Sequence, residues 1–419
     1  MTLAEAIAAQ TPMVQRLLDG VAAIGADPPG ITRDAYGRGE NQAQALIAEA
    51  GASLGLIASI DAGANLTLRW AAHDPVAPPV LVGSHLDSIV QGGNFDGAAG
   101  VIAGIGAIAA LQTAGMAPRR DIEVLALRCE ESVWFGLGLI GSRCLLARLP
   151  EGALDLVHAR SGRTLAQSID DCGGDSAYLR EGIPLYQPRD MGAYLEVHIE
   201  QAPQLIEAGA PIAICLANPG NVRHPFIRIT GEDAHTGLPH RFRRDAALAG
   251  ADLSMALERL WLAEEAEGRA MAVTIGRFHT PVDHHSLTAV PGAFELSLDL
   301  RGYSVAHLAL LEAHLAAIVA EVAARRGVTI ELGERVAAAP GLMDPGLMAG
   351  LAAAAMRHGV AAPLLNSPGS HDANNFAAAG VPTAMLLVRN QNGSHNPHEA
   401  METADLMAAI GVLAGWIAA

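Results

Sequence analysis

Lysine is absent from the 419 residues; all 27 basic side chains are arginine. That absence excludes two chemistries. A Walker-type phosphate loop needs its lysine, and a Schiff-base enzyme needs an amine nucleophile. Cationic charge is scarce altogether, because 44 acidic residues leave a formal net charge of −17. That balance argues against wholesale binding to nucleic acid or to an anionic membrane surface, since both are polyanions. Cysteine is also sparse. Cys129, Cys144, Cys172 and Cys215 are scattered, with no CxxC pair. They read as buried reduced thiols of a cytoplasmic protein. No basic segment opens the chain, so no signal peptide is expected. The longest apolar run, 97–111, is short for a membrane span and suits a buried helix.

The remainder is rich in Ala and Gly, with 51% hydrophobic residues, and reads as a compact α/β protein. Strand patterns fall at 57–61 and 65–70, a turn is marked by Pro75, Pro78 and Pro79, and short buried strands follow at 80–82, 121–128, 194–200 and 382–388. Three of these strands run into polar residues at their carboxyl ends, where open α/β sheets place their sites. The middle differs. Strands at 226–230, 271–278 and 294–300 alternate with helices at 244–267 and 304–326, the order of a βαββαβ-like module. The expectation is a sheet domain formed by 1–218 and 330–419, with a smaller α+β domain, 219–329, inserted in it.

The polar residues at the strand ends carry the chemistry. His85 and Asp87 place an imidazole beside a carboxylate, an arrangement that fixes the tautomer of a metal-bound histidine. Asp96 sits in a glycine loop before a helix, where a simple cap is the ordinary reading. Glu130 and Glu131 follow a buried strand, His198 closes another, and His395 lies in a loop near the end of the sequence. Each alone is ambiguous. Together His85, Asp96, Glu131, His198 and His395 make five N/O ligands without a thiolate. That is enough for two divalent cations bridged by one carboxylate. Imidazole and carboxylate suit Zn, Mn, Co or Ni without choosing among them. A spare Glu beside a ligand Glu is what such a site needs as its base.

The segments GSHLDSIVQGGNFDG (83–97), EESVWFGLGLIGSR (130–143), HIEQAP (198–203), GEDAHTG (231–237), SLDLR (297–301), SPGSHDA (367–373) and SHNPHE (394–399) resemble the M20 metallopeptidase clan. Within it they resemble the hydantoinase/carbamoylase branch: N-carbamoyl-L-amino acid hydrolases, allantoate amidohydrolases and β-ureidopropionases. The resemblance runs from ITRDAYG (31–37) onward. It implies a di-metal catalytic domain with a mixed sheet flanked by helices, and an inserted lid and dimerisation domain. It implies that His85 and His198 bind one metal, that Glu131 and His395 bind the other, that Asp96 bridges them and that Asp87 orients His85. Glu130 would be general base toward a metal-bridging hydroxide. Gln201 would hold the ureido or amide group, His235 would stabilise the oxyanion, and Arg301 would grip an α-carboxylate. The loop at Ser370 and His371 would offer backbone amides to substrate.

Three positions depart from the family pattern. Thr288 stands where relatives carry an Asn that meets substrate. Trp134 stands where many carry a cation, which points to a less charged or bulkier substrate. The stretch Thr236 to His240 is one residue short. The expected function is hydrolysis of the linear C–N bond of an N-carbamoyl-L-amino acid or an allantoate-like ureide, by a cytoplasmic homodimer with two divalent metals per subunit. An N-acyl-amino acid or dipeptide hydrolase of the same fold is the alternative, with a non-catalytic binding protein behind it.

Overall fold

The computed structural model describes residues 1–73 and 77–419; the turn expected at Pro75 lies outside the described residues. The chain divides into two compact units: Met1–Asn218 with Leu342–Ala419, and Pro219–Gly341.

The first unit is built on an eight-stranded sheet. In chain order its strands are β1 (Ile57–Ile60), β2 (Leu66–Trp70), β3 (Val80–His85), β4 (Ile122–Leu127), β5 (Ala193–Ile199), β6 (Ile212–Cys215), β7 (Leu364–Leu365) and β8 (Thr383–Val388). Their spatial order is β7-β6-β8-β5-β3-β4-β2-β1. The central four, β4, β3, β5 and β8, are mutually parallel, while β2 runs antiparallel to both β4 and β1, and β6 runs antiparallel to β8. Central parallel strands are covered on both faces, which explains why all residues of β3, β4, β5 and β8 are buried and why their sequences read as apolar runs. The apolar run of the sequence forms helix α1 (Ala98–Thr113), apolar all round and buried from Ala98 to Leu111. Small residues let α1 lie close on the sheet. A Cβ at Gly100 would come 2.0 Å from the carbonyl oxygen of Val197 on β5.

Register puts the four parallel carboxyl ends along one edge. His85 pairs with Leu127, and His198 with Leu387. The loops that follow β3, β4, β5 and β8 therefore leave from the same side of the sheet.

The second unit holds a six-stranded antiparallel sheet. Gly220–Thr230 lies between Ala293–Gly302 and the short strands Thr329–Glu331 and Val336–Ala338, and Met271–Thr274 borders Ala293–Gly302 on its other side. The helices Ala246–Ala266 and Val305–Arg326 fill the β-α-β-β-α-β order. Asp245 and Ser304 cap them, each accepting a backbone N–H from the third residue beyond. This unit extends to Gly341, beyond the 219–329 expected from sequence, because Thr329–Glu331 and Val336–Ala338 both pair with Gly220–Thr230.

Candidate metal centre

Each loop after a parallel strand delivers a ligand-type side chain. β3 ends in His85, and the glycine loop after it carries Asp96. Past β4 the chain reaches Glu130 and Glu131; β5 contributes His198, and the loop beyond β8 brings His395. The backbone strains to aim them. Cys129, Gln201 and His395 have φ of 50°, 66° and 59°, the sparsely populated left-handed region, which clusters at functional sites.

The five side chains converge on two neighbouring groups, His85 with Asp96 and His198, and Asp96 with Glu131 and His395. Asp96 belongs to both. Its Oδ1 lies 3.4 Å from Nε2 of His85 and 3.1 Å from Nε2 of His198. Its Oδ2 faces the other way, 3.4 Å from Nε2 of His395, which is itself 3.2 Å from Oε1 of Glu131. Oxygen or nitrogen donors at about 2.0–2.1 Å from a tetrahedral ion are about 3.3–3.4 Å apart, so these spacings suit a shared cation. Nε2 of His85 is also buried without a hydrogen-bond partner among the described residues, as expected of an atom that serves a ligand outside the chain. The residues therefore fit divalent metal.

Electrostatics agree with that fit. Burial would raise the carboxyl of Asp96, yet His198, His395 and His85 outweigh it and hold it well below the usual carboxylate range. Burial pushes Glu130 well up, and the neighbouring charges of Glu131, Asp372 and Asp96 add to this against the pull of His85. Hydrogen bonds to Asp96 and Glu131 raise His395 to about 11. Carboxylates crowded beyond the imidazole charge around them favour added cations.

Asp87 ties these side chains together. Its Oδ1 is 3.2 Å from Nδ1 of His85, and its carboxylate accepts the backbone N–H of Glu130 at 3.0 Å and of Glu131 at 3.2 Å. Glu130 points Oε2 to 3.9 Å from Nε2 of His85. Gln201 donates from Nε2 to Oδ2 of Asp96 at 2.8 Å. His371 is buried, with its ring centroid 4.2 Å from that of His198 and its Nε2 2.8 Å from Oγ of Ser367. Its backbone N–H is already taken by Oδ1 of Asn374 at 3.0 Å, so it is not offered to substrate as the sequence suggests. Ser370 lies next to it, half-buried.

Three expected substrate residues belong to the second unit. The strand pairing sets Ala234 against Val290 and His235 against Ala289, and Thr236 donates to the carbonyl of Thr288 at 3.0 Å. Two segments far apart in sequence, those of His235 and Thr288, thus become neighbours, both exposed. Arg301 holds Oδ2 of Asp299 through Nη2 at 3.1 Å, and Arg223 reaches the same oxygen.

Trp134 corrects a sequence expectation. It is 1% exposed, its indole N–H donates to the carbonyl of Ser88 at 3.0 Å, and its ring stacks on His158. It packs beneath the loop after β3 and offers no apolar surface to a bulkier substrate.

Sequence reasoning also missed supporting groups. Glu399 accepts the backbone N–H groups of Phe95 and Asp96 through Oε1, while Ser394 bridges Glu399 and Asp96, at 2.6 Å to each. The fully buried Arg33 donates to the carbonyl of Leu86 and to Asn94, fixing the same loop from below. Glu40 binds Nη1 of Arg128 at 2.6 Å and accepts the N–H of Cys129, which anchors the turn before Glu130. Glu399 stands within a quoted motif, but the backbone groups it holds, those of Phe95 and Asp96, are about three hundred residues away and only the fold reveals them.

Comparison with known proteins gives a consistent picture. The description Peptidase family M20/M25/M40 matches residues 81–419. An N-carbamoyl-L-amino acid amidohydrolase of Geobacillus stearothermophilus is 32% identical over 95% of each chain. An allantoate amidohydrolase of Escherichia coli is 28% identical over 96% of each. A crystal structure of a hydantoinase/carbamoylase family amidase from Burkholderia ambifaria superposes with a TM-score of 0.85 at 30% identity, covering 97% of this chain and 96% of that one.

Proposed function

The chain belongs to peptidase family M20/M25/M40, and from that premise we propose that it is a metal-dependent amidohydrolase, cleaving the linear C–N bond of an N-carbamoyl-L-amino acid or a related ureide of the allantoate kind. The observation that carries this reading is Asp96, whose two carboxylate oxygens face two separate donor groups. Two divalent ions would be held by His85 and His198 on one side and Glu131 and His395 on the other, with Asp96 shared. Such ions supply Lewis acidity to a carbonyl and lower the pKa of water.

The chain's own residues do the rest. Asp87 holds the His85 ring in one orientation through Nδ1 and sets the backbone of the Glu pair. Glu130, beside the ligands, takes the proton from the attacking water and gives it to the leaving nitrogen. Gln201, on Asp96, is placed to meet the amide or ureido group. His235 supplies the oxyanion contact, in the partner subunit's site or after closure of the inserted domain as a lid. Arg301 and Thr288 meet the substrate carboxylate end, the guanidinium as a planar fork. In this reading the enzyme is a cytoplasmic homodimer joined through the second unit. Exposed Met255 and Leu262 on one helix and Val305 and Leu310 on the next suit that contact, and four free cysteines suit a reducing compartment.

A hydrolysis panel of N-carbamoyl, ureido, N-acyl and dipeptide substrates, with Mn, Zn, Co and Ni added back separately, tests the reading. N-carbamoyl amino acids or ureides should have the highest kcat/KM. Arg301→Ala should then raise KM for carboxylate substrates about 30- to 150-fold, the equivalent of about 2–3 kcal/mol. Highest activity on dipeptides would refute the substrate class, and an unchanged KM would remove Arg301 from it.

A further inference from the structure

We infer that the first unit carries a second ligand site, for a small organic anion, at the edge of the sheet opposite the metal centre. A cavity of about 450 Å³ opens there, lined by Val80 and Ala193, the first residues of β3 and β5. Its size is that of a small-molecule pocket. The metal ligands stand at the other ends of those strands. Val80 to His85 is five residue steps, about 17 Å, so a ligand in the cavity does not touch them.

Its lining is cationic. Arg119, Arg120 and Arg357 line it, together with Trp416, and among the described residues no side-chain carboxylate does. The guanidiniums of Arg119 and Arg120 make no ion pair or hydrogen bond among the described residues, and the indole N–H of Trp416 is likewise unpaired there. Arg357 is anchored at the cavity by Nη2 on the carbonyl of Gly415 at 2.9 Å. Arg120 lies close on the backbone, since a Cβ at Gly192 would sit 2.9 Å from its Nη1. In a chain with a net charge of −17, three arginines gathered without an acidic partner among the described residues are unusual. Elsewhere arginines such as Arg128, Arg335 and Arg389 sit on carboxylates. Guanidinium groups and an N–H donor beside apolar Leu347 and Ile417 are the chemistry that holds a carboxylate- or phosphate-bearing molecule with an apolar body.

Isothermal titration of the full chain with AMP, tricarballylate and inorganic phosphate tests the site. At least one of the two organic anions should bind once per chain with Kd below about 1 mM. Preference for AMP would assign a phosphoryl ligand, and preference for tricarballylate a carboxylate one. Chelation of metal should leave binding unchanged, which separates this site from the metal centre whatever reaction that centre performs. The Arg120→Gln/Arg357→Gln double variant, at one half-buried and one exposed position, should weaken binding at least about tenfold with an unchanged melting temperature, and Trp416→Phe should weaken it a few-fold. Absence of saturable binding by AMP and tricarballylate, binding that both variants retain, or binding lost on chelation would overturn the proposal.

Discussion

Gly97→Ala is the sharpest structural test of the metal centre. Gly97 caps the start of α1 with φ of 67° and ψ of −50°, a conformation close to the strained γ-turn that L-residues avoid. A Cβ there would sit 2.4 Å from Nε2 of His85 and 2.5 Å from two carbons of the same ring. The ring cannot retreat, because it is fully buried and its Nδ1 is held by Asp87. Strain at such a backbone position costs about 1–3 kcal/mol, and overpacking a closed site costs about 1–3 more. The sum, about 2–6 kcal/mol, is a large share of the 5–15 kcal/mol typical of a whole domain. Urea unfolding followed by far-UV circular dichroism should show that loss. Metal content should fall with it, because the displaced atom, Nε2 of His85, belongs to one of the two donor groups that could hold an ion. A loss under about 1 kcal/mol with full metal content would refute the reasoning.

Other variants separate chemistry from support. Glu130→Gln should keep metal content and lower kcat by about 10²- to 10⁴-fold; a wild-type kcat would remove Glu130 from proton transfer. Glu40→Ala strands the buried guanidinium of Arg128 and should destabilise by about 3–5 kcal/mol in chemical denaturation, and a change below about 1 kcal/mol would contradict the ion-pair argument. In the second unit, Arg269 and then His307 hold the buried Glu264 carboxyl at about 2. A carboxyl depressed on folding stabilises above its unfolded pKa, about 4.5, and that contribution disappears as pH falls toward 2. The stability difference between the wild type and Glu264→Gln should therefore shrink over that window, and a gap that is constant from pH 6 to pH 2.5 would count against it.

The convergence of the candidate ligand side chains was legible because each follows a buried strand, and parallel strands in register bring such ends together. Spacing could show that His85, Asp96, Glu131, His198 and His395 were ligand types. It could not show that Asp96 turns one oxygen to each group, which depends on the turn at Gly97 and on Glu399 receiving the N–H groups of Phe95 and Asp96. Trp134 misled for a physical reason: a large aromatic in a loop beside a site reads the same whether it faces the opening or packs beneath it. The second unit's end was missed because Thr329–Glu331 and Val336–Ala338 are three residues each, too short for an alternating pattern to register. The pair of Glu40 and Arg128 joins positions 88 residues apart, beyond any local signal.

Metal stoichiometry tests the central claim most directly. Apo protein equilibrated with excess Mn or Zn, freed of unbound ion and assayed by mass spectrometry, should hold two ions per chain. Asp96→Asn should lose both, while His395→Ala should keep the ion of His85 and His198. Wild-type protein that saturates at one ion or none, or an Asp96→Asn variant that still holds two, would contradict a centre built around one shared carboxylate.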